Sequence, residues 1–95
     1  MNFIYTIRPN KEDFLNTATE EEENIMSEHA DYLNEKLKEG KLILAGPATN
    51  AKFGIVILDT QNEKEAEMIM LNDPAVKNKV MSAELNPFRI SFHKK

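Results

Sequence analysis

The segment Lys52–Asp59, KFGIVILD, carries Phe53, Ile55 and Ile57 on one side and Val56 and Leu58 on the other. Successive side chains of a strand point to opposite faces, so a strand here is apolar above and below and needs cover on both sides. Asn2–Arg8, NFIYTIR, makes the same demand. Phe3, Tyr5 and Ile7 point one way and Ile4 the other, and Pro9 ends the strand because it has no N–H for the ladder. Strands of this kind belong at the centre of a sheet. A chain of 95 residues suits one domain, 1–95, built around that sheet. A domain this short buries only about 60–65% of the surface its unfolded chain exposes, so its stability margin is thin and a partner subunit would help.

The other elements fall around these two strands. The stretch 9–18, PNKEDFLNTA, reads as a polar loop anchored by Phe14 and Leu15. A first helix starts at TEEE, where Thr19 and Glu22 have the spacing of a capping box, and the glutamates suit the positive end of the helix dipole. Met26, His29, Leu33 and Leu37 recur at helical spacing as one inner face, widened by Ile25 and Tyr32, and Gly40 closes the helix. KLILAGP forms a second strand, joined to the third by the short link ATNA as a hairpin. A second helix opens at NEKE with another capping box, Asn62 and Glu65, and presents Ala66, Ile69 and Met70 inward. NDP ends it, PAVKNK makes one further turn, and VMSAELNPFRISF is a long last strand interrupted at Pro87, as an edge strand tolerates. The order βαββαβ predicts an α+β fold: a ferredoxin-like antiparallel sheet with both helices on one face. The helices cover only that face. The other, still apolar, predicts a second copy packed sheet to sheet, hence a homodimer.

Charge narrows the partners. Sixteen acidic residues against twelve basic ones give a net charge of −4. Without a basic cluster the chain is expected to bind neither nucleic acid nor an anionic membrane. No apolar run approaches the ~20 residues of a membrane span, and the N-terminus lacks the pattern of a signal peptide. Cysteine is absent, which removes thiol chemistry and suits a cytoplasmic setting. There is no glycine-rich phosphate loop, no second histidine or cysteine at ligand spacing to His29 and no serine with a base at motif spacing. We therefore expect no cofactor and no metal, and a small-molecule ligand.

Taken together, IRPNKEDF, IMSEHADYL, GKLILAGP, FGIVIL, NDPAVK and AELNPFRI, in this order, resemble the YciI-like (YCII-related) family over nearly the whole chain. The resemblance implies a dimeric α+β barrel. It also implies a histidine in the first helix and an aspartate before a proline after the second, positions matched by His29 and Asp73, and an enzymatic role resting on that pair. A related branch acts as dehydrochlorinases on chlorinated muconate-type ring-cleavage products.

The topology points to a site on its own account. Strand one ends at Arg8, strand two ends at Gly46 and Pro47, the second helix ends at Asp73, and the loop 9–19 leaves from the same end of the sheet. His29 lies roughly 15 Å into the first helix, at ~1.5 Å per residue, and points toward mid-sheet. Two readings stand for it: a core histidine bonded to a backbone carbonyl, or a general base and acid oriented by Asp73. Asp73 has two roles open as well, as N-cap of PAVK with Pro74 at the first helical position, or as partner of the imidazole. Arg8 is a candidate for an anionic substrate group or a surface residue. Tyr5 is core, or a hydroxyl reaching the site, and Gly46 and Pro47 are a turn or a wall of the binding site. The functional reading is a cofactor-independent enzyme that abstracts a proton next to a carbonyl and so drives elimination or isomerisation of a muconate- or lactone-like substrate. The alternative is a non-catalytic small-ligand binding or regulatory module. A reachable imidazole bonded to Asp73 favours the first; a buried one bonded to backbone, with no cavity, favours the second.

Overall fold

The computed structural model describes residues 1–94. Its elements are β1 (Asn2–Pro9), α1 (Phe14–Thr17), α2 (Glu20–Lys38), β2 (Leu42–Pro47), β3 (Gly54–Asp59), α3 (Glu63–Asn72), α4 (Pro74–Lys77) and β4 (Met81–Pro87). The sheet order is β2-β3-β1-β4 with every pair antiparallel, so the two strands apolar on both faces are the central ones. This is the ferredoxin-like arrangement the element order predicts. The helices α2 and α3 lie over Phe3, Tyr5, Ile7, Val56 and Leu58, all buried, and α3 adds Ala66, Ile69 and Met70 to the same core.

Local signals in the sequence explain the helix ends. Thr19 Oγ1 accepts from the Glu22 backbone N–H, and Glu22 Oε1 accepts from the Thr19 N–H, so both halves of the first capping box form. At the other end Gly40 takes φ 77°, and the N–H groups of Gly40 and Lys41 return to the carbonyls of Leu37 and Lys36. Only glycine reaches that left-handed region without a Cβ penalty. The second box forms by half: Asn62 accepts from Glu65 N–H, but Glu65 bonds the N–H of Gln61 instead of that of Asn62.

Three expected features differ. The loop after Pro9 contains the short helix α1, entered through Asp13 at φ 53°. The third strand begins at Gly54 instead of Lys52. The last strand stops at Pro87, followed by a single backbone bond from Phe88 N–H to the Asn2 carbonyl. Because β4 runs antiparallel to β1 and β1 begins at Asn2, later residues have no strand left to pair with.

Candidate functional site

Helix α2 stands off the sheet along part of its length. Among its residues only His29 is buried, while Met26 and Leu33 on the same face are half-buried and Leu37 is exposed. Beside it lies β2, whose pairing with β3 shifts register between Leu42 and Leu44. A bulge bends its strand, and here the bent strand is the edge strand beneath α2. A cleft of about 670 Å³ lies between α2, β2, β3 and α1. That is within the ordinary range of small-molecule sites. Lys11 fixes the α1 end by bonding Glu22 and the Thr17 carbonyl, both at 2.6 Å.

His29 is at the inner wall of this cleft. Its Nδ1 lies 2.6 Å from Asp73 Oδ1. Asp73 is fully buried and three donors converge on its carboxylate. His29 Nδ1–H and the Ala75 backbone N–H (3.0 Å) donate to Oδ1, and the Tyr5 hydroxyl (2.8 Å) donates to Oδ2. An ionised carboxylate only accepts, so this donor set compensates the buried negative charge. The same geometry selects the tautomer. With the proton on Nδ1, neutral His29 carries its lone pair on Nε2. Nε2 has no hydrogen-bond partner among the described residues, yet no sealed polar side-chain atom is left unpaired, so Nε2 is reached from the cleft.

Both aromatic hydroxyls near Asp73 hold their protons tightly. Burial first, then the negative charge and hydrogen bond of Asp73, push the Tyr5 hydroxyl far above the usual phenol range. Tyr32 donates to the Ile69 carbonyl at 2.8 Å and is pushed up to about 12, mainly by burial, with smaller contributions from Asp73, Glu39 and Glu35. Tyr5 therefore remains a donor to Asp73 throughout the neutral range.

The geometry agrees with a sequence relationship. The YCII-related domain profile matches residues 1–89. The chain belongs to the YCII-related family. No curated protein matches it in sequence. Among solved structures it resembles the 5-chloro-2-hydroxyhydroquinone dehydrochlorinase TftG of Burkholderia phenoliruptrix AC1100, solved in complex with 2,5-dihydroxybenzoquinone. The identity is 20% and the TM-score 0.68, with 94% of each chain covered. It also resembles the structural-genomics protein YJCS, at 18% identity and TM-score 0.53, covering 95% of this chain and 98% of that one. At these identities the likeness is one of fold.

In this YCII-related chain His29, Asp73 and Tyr5 form one hydrogen-bonded row, and both roles open for Asp73 are filled by the same side chain. Tyr5 is fully buried and off the cleft wall, so it reaches the site only through Asp73. Gly46 and Pro47 do line the cleft, as part of β2 instead of a turn. Arg8 is not on the wall; it is exposed, with its guanidinium 5.6 Å from the ring centre of Phe53. Asn34 joins His29 as a polar wall residue. Its signal was its position four residues after Ala30 and three before Leu37, along the flank of the same helical face. Among the described residues no group of three His, Cys, Asp or Glu is placed to hold a metal, and no helix is long and apolar enough to cross a membrane.

Proposed function

We propose that the protein is a cofactor-independent enzyme of small molecules in which His29 Nε2 is the general base, oriented by Asp73. The observation that carries this reading is the Nδ1–Asp73 bond behind an imidazole whose other nitrogen opens on an apolar cleft. Nε2 takes a proton from a carbon next to a substrate carbonyl, and the C–H electron pair moves into an enolate. Asp73 stabilises the imidazolium that forms. From the enolate two outcomes balance. An anionic leaving group such as halide departs with its electron pair and leaves a new C=C bond; or the imidazolium returns its proton to another carbon, which is isomerisation. Neither needs a second acid, and among the described residues no other acid or base lines the cleft. The substrate class is a small carbonyl compound of muconate or lactone type. The fold shared with a dehydrochlorinase supports the elimination branch.

One feature favours the alternative of a non-catalytic ligand-binding module: among the described residues, beyond His29 and Asn34 the cleft offers only apolar side chains and backbone. Proton exchange separates the two. Wild type and His29→Gln are incubated in D2O with lactones and halogenated ring-cleavage products, and loss of the α-proton signal is followed by NMR. Exchange or elimination by wild type alone supports the enzyme. Binding without exchange by either protein leaves only the module.

We also propose a homodimer formed through the sheet face opposite the helices. Ile4 and Ile55 are half-buried there, with Leu44 and Phe53 exposed beside them. Sedimentation at micromolar concentration tests this: a stable folded monomer contradicts it.

A further inference from the structure

The cleft in front of His29 contains no charged side chain among the described residues. Its polar side chains are His29 and Asn34; the rest of the wall is aliphatic, aromatic or backbone. Two cations that lie against rings of the wall are turned to other work. Lys11 lies 5.9 Å from the ring centre of Phe14, a wall residue, but its ammonium is bonded to Glu22 and the Thr17 carbonyl. Arg8 sits on the ring of Phe53, outside the wall. The mouth is apolar as well: Leu15 and Leu37 both expose large side chains there. Beyond the cleft the protein carries a net charge of −4.

We infer that the site takes an uncharged, largely apolar ring or ring-derived carbonyl compound, and discriminates against carboxylates of the same skeleton. The inference rests on the reading of this cleft as the site of His29 chemistry. Three physical costs act on a dianion here. Its carboxylates lose water in an apolar cleft; they find no cation on the described wall to pair with; and they approach against the field of an acidic protein. An uncharged ester or lactone suffers none of these, and it gains the apolar contact of Met26 and Leu33. Of the muconate and lactone limbs of the proposed substrate class, the geometry selects the uncharged one. A single hydrogen-bonding group on the ligand meets Nε2, and Asn34 is placed to orient a second.

The test uses two ligands of one carbon skeleton, the dianion cis,cis-muconate and its uncharged dimethyl ester, with a butenolide as a third probe whose carbonyl carries no added methyl ester. Binding to the intact protein is followed through the methyl resonances of Met26 and Leu33 and the His29 ring protons. The ester and butenolide are expected to perturb these signals and to bind on the order of tenfold or more tighter than the dianion. Asn34→Arg, which places a cation on the wall at an exposed helical position, is expected to narrow or reverse that preference. Equal or tighter binding of muconate to wild type overturns the inference, as does failure of both uncharged probes to shift the cleft signals. If the uncharged probes bind in the cleft and no proton exchange is seen with any substrate, the catalytic reading fails while the ligand class stands.

Discussion

Replacing Tyr5 by Phe removes one oxygen and nothing else from the core. That oxygen is the donor to Asp73 Oδ2, at 2.8 Å, in a position with no solvent exposure on either residue. The variant leaves a buried carboxylate oxygen short of a partner, and a lost hydrogen bond to a charged group costs ~1.5–3 kcal/mol. With an unfolding entropy of ~2.1 cal/mol/K per residue, 95 residues give about 5 °C of Tm per kcal/mol. Tyr5→Phe is therefore expected to lower Tm by about 7–15 °C at neutral pH. Tyr32→Phe is the internal control. Its hydroxyl donates to a neutral backbone carbonyl, from Tyr32 Oη to Ile69 O, in a half-buried setting. A neutral bond contributes ~0.5–1.5 kcal/mol, so the loss is about 2–7 °C. Calorimetry and urea unfolding measure both variants. If Tyr5→Phe loses no more stability than Tyr32→Phe, then Asp73 is not the buried, ionised centre of the row, and the orientation of His29 needs another explanation.

Alkaline unfolding carries the same signature. Tyr5 and Tyr32 both titrate above 10.0 in the folded protein, Tyr32 at about 12. From 10.0 upward the unfolded chain releases phenol protons that the folded chain keeps, so the tyrosines' contribution to stability is constant below 10.0 and falls as pH rises through that point. Urea midpoints on either side of it are expected to fall more steeply in wild type than in Tyr5→Phe. Thr19→Ala breaks the capping box of α2 and is expected to cost ~0.5–2 kcal/mol, read as a drop in urea midpoint at unchanged m-value. The Glu22 carboxyl is held below its usual range, first by Lys11 and then by the Thr19 N–H. Its stabilising effect is therefore present above the ordinary glutamate range and lost as pH falls, and Glu22→Gln is expected to flatten the acid limb of the stability profile. Ala51 has φ 61° in the turn between β2 and β3. A non-glycine residue there costs ~1–2 kcal/mol against ~0.4–1 for the extra freedom of glycine, so Ala51→Gly is expected to leave stability unchanged or raise Tm slightly.

The parts of the fold that follow from local chemistry were legible in the residues. Phe3 to Ile7 and Phe53 to Leu58 announce central strands, Thr19 and Glu22 a helix start, and Gly40 a helix end. His29 stood out because an apolar face carried an imidazole, and Asp73 because it precedes a proline at the end of the second helix, with the resemblance to the YciI-like family pairing the two. What stayed hidden is long-range. Nothing in KLILAGP marks the register shift at Ile43, a residue of the cleft wall, since a bulge depends on the partner strand. The bond from Tyr5 to Asp73 joins residues 68 apart, and no spacing rule reaches that far. Arg8 ends a strand at the expected edge of the sheet, but strand alternation turns it to the face opposite Ile7, away from the cleft wall. The end of β4 was missed because it is set by where β1 begins, not by Pro87 alone.

The central claim is that Asp73 holds the proton on His29 Nδ1 and leaves Nε2 as the base facing the cleft. Nitrogen-15 NMR of the neutral imidazole reads this directly, with exposed His93 as reference. The account expects His29 to show a protonated Nδ1 and an unprotonated Nε2, and Asp73→Asn to lose that preference, because an amide donates as readily as it accepts. A wild-type His29 found with its proton on Nε2 and a bare Nδ1 contradicts it, since the nitrogen that opens on the cleft would then have no lone pair to accept a substrate proton.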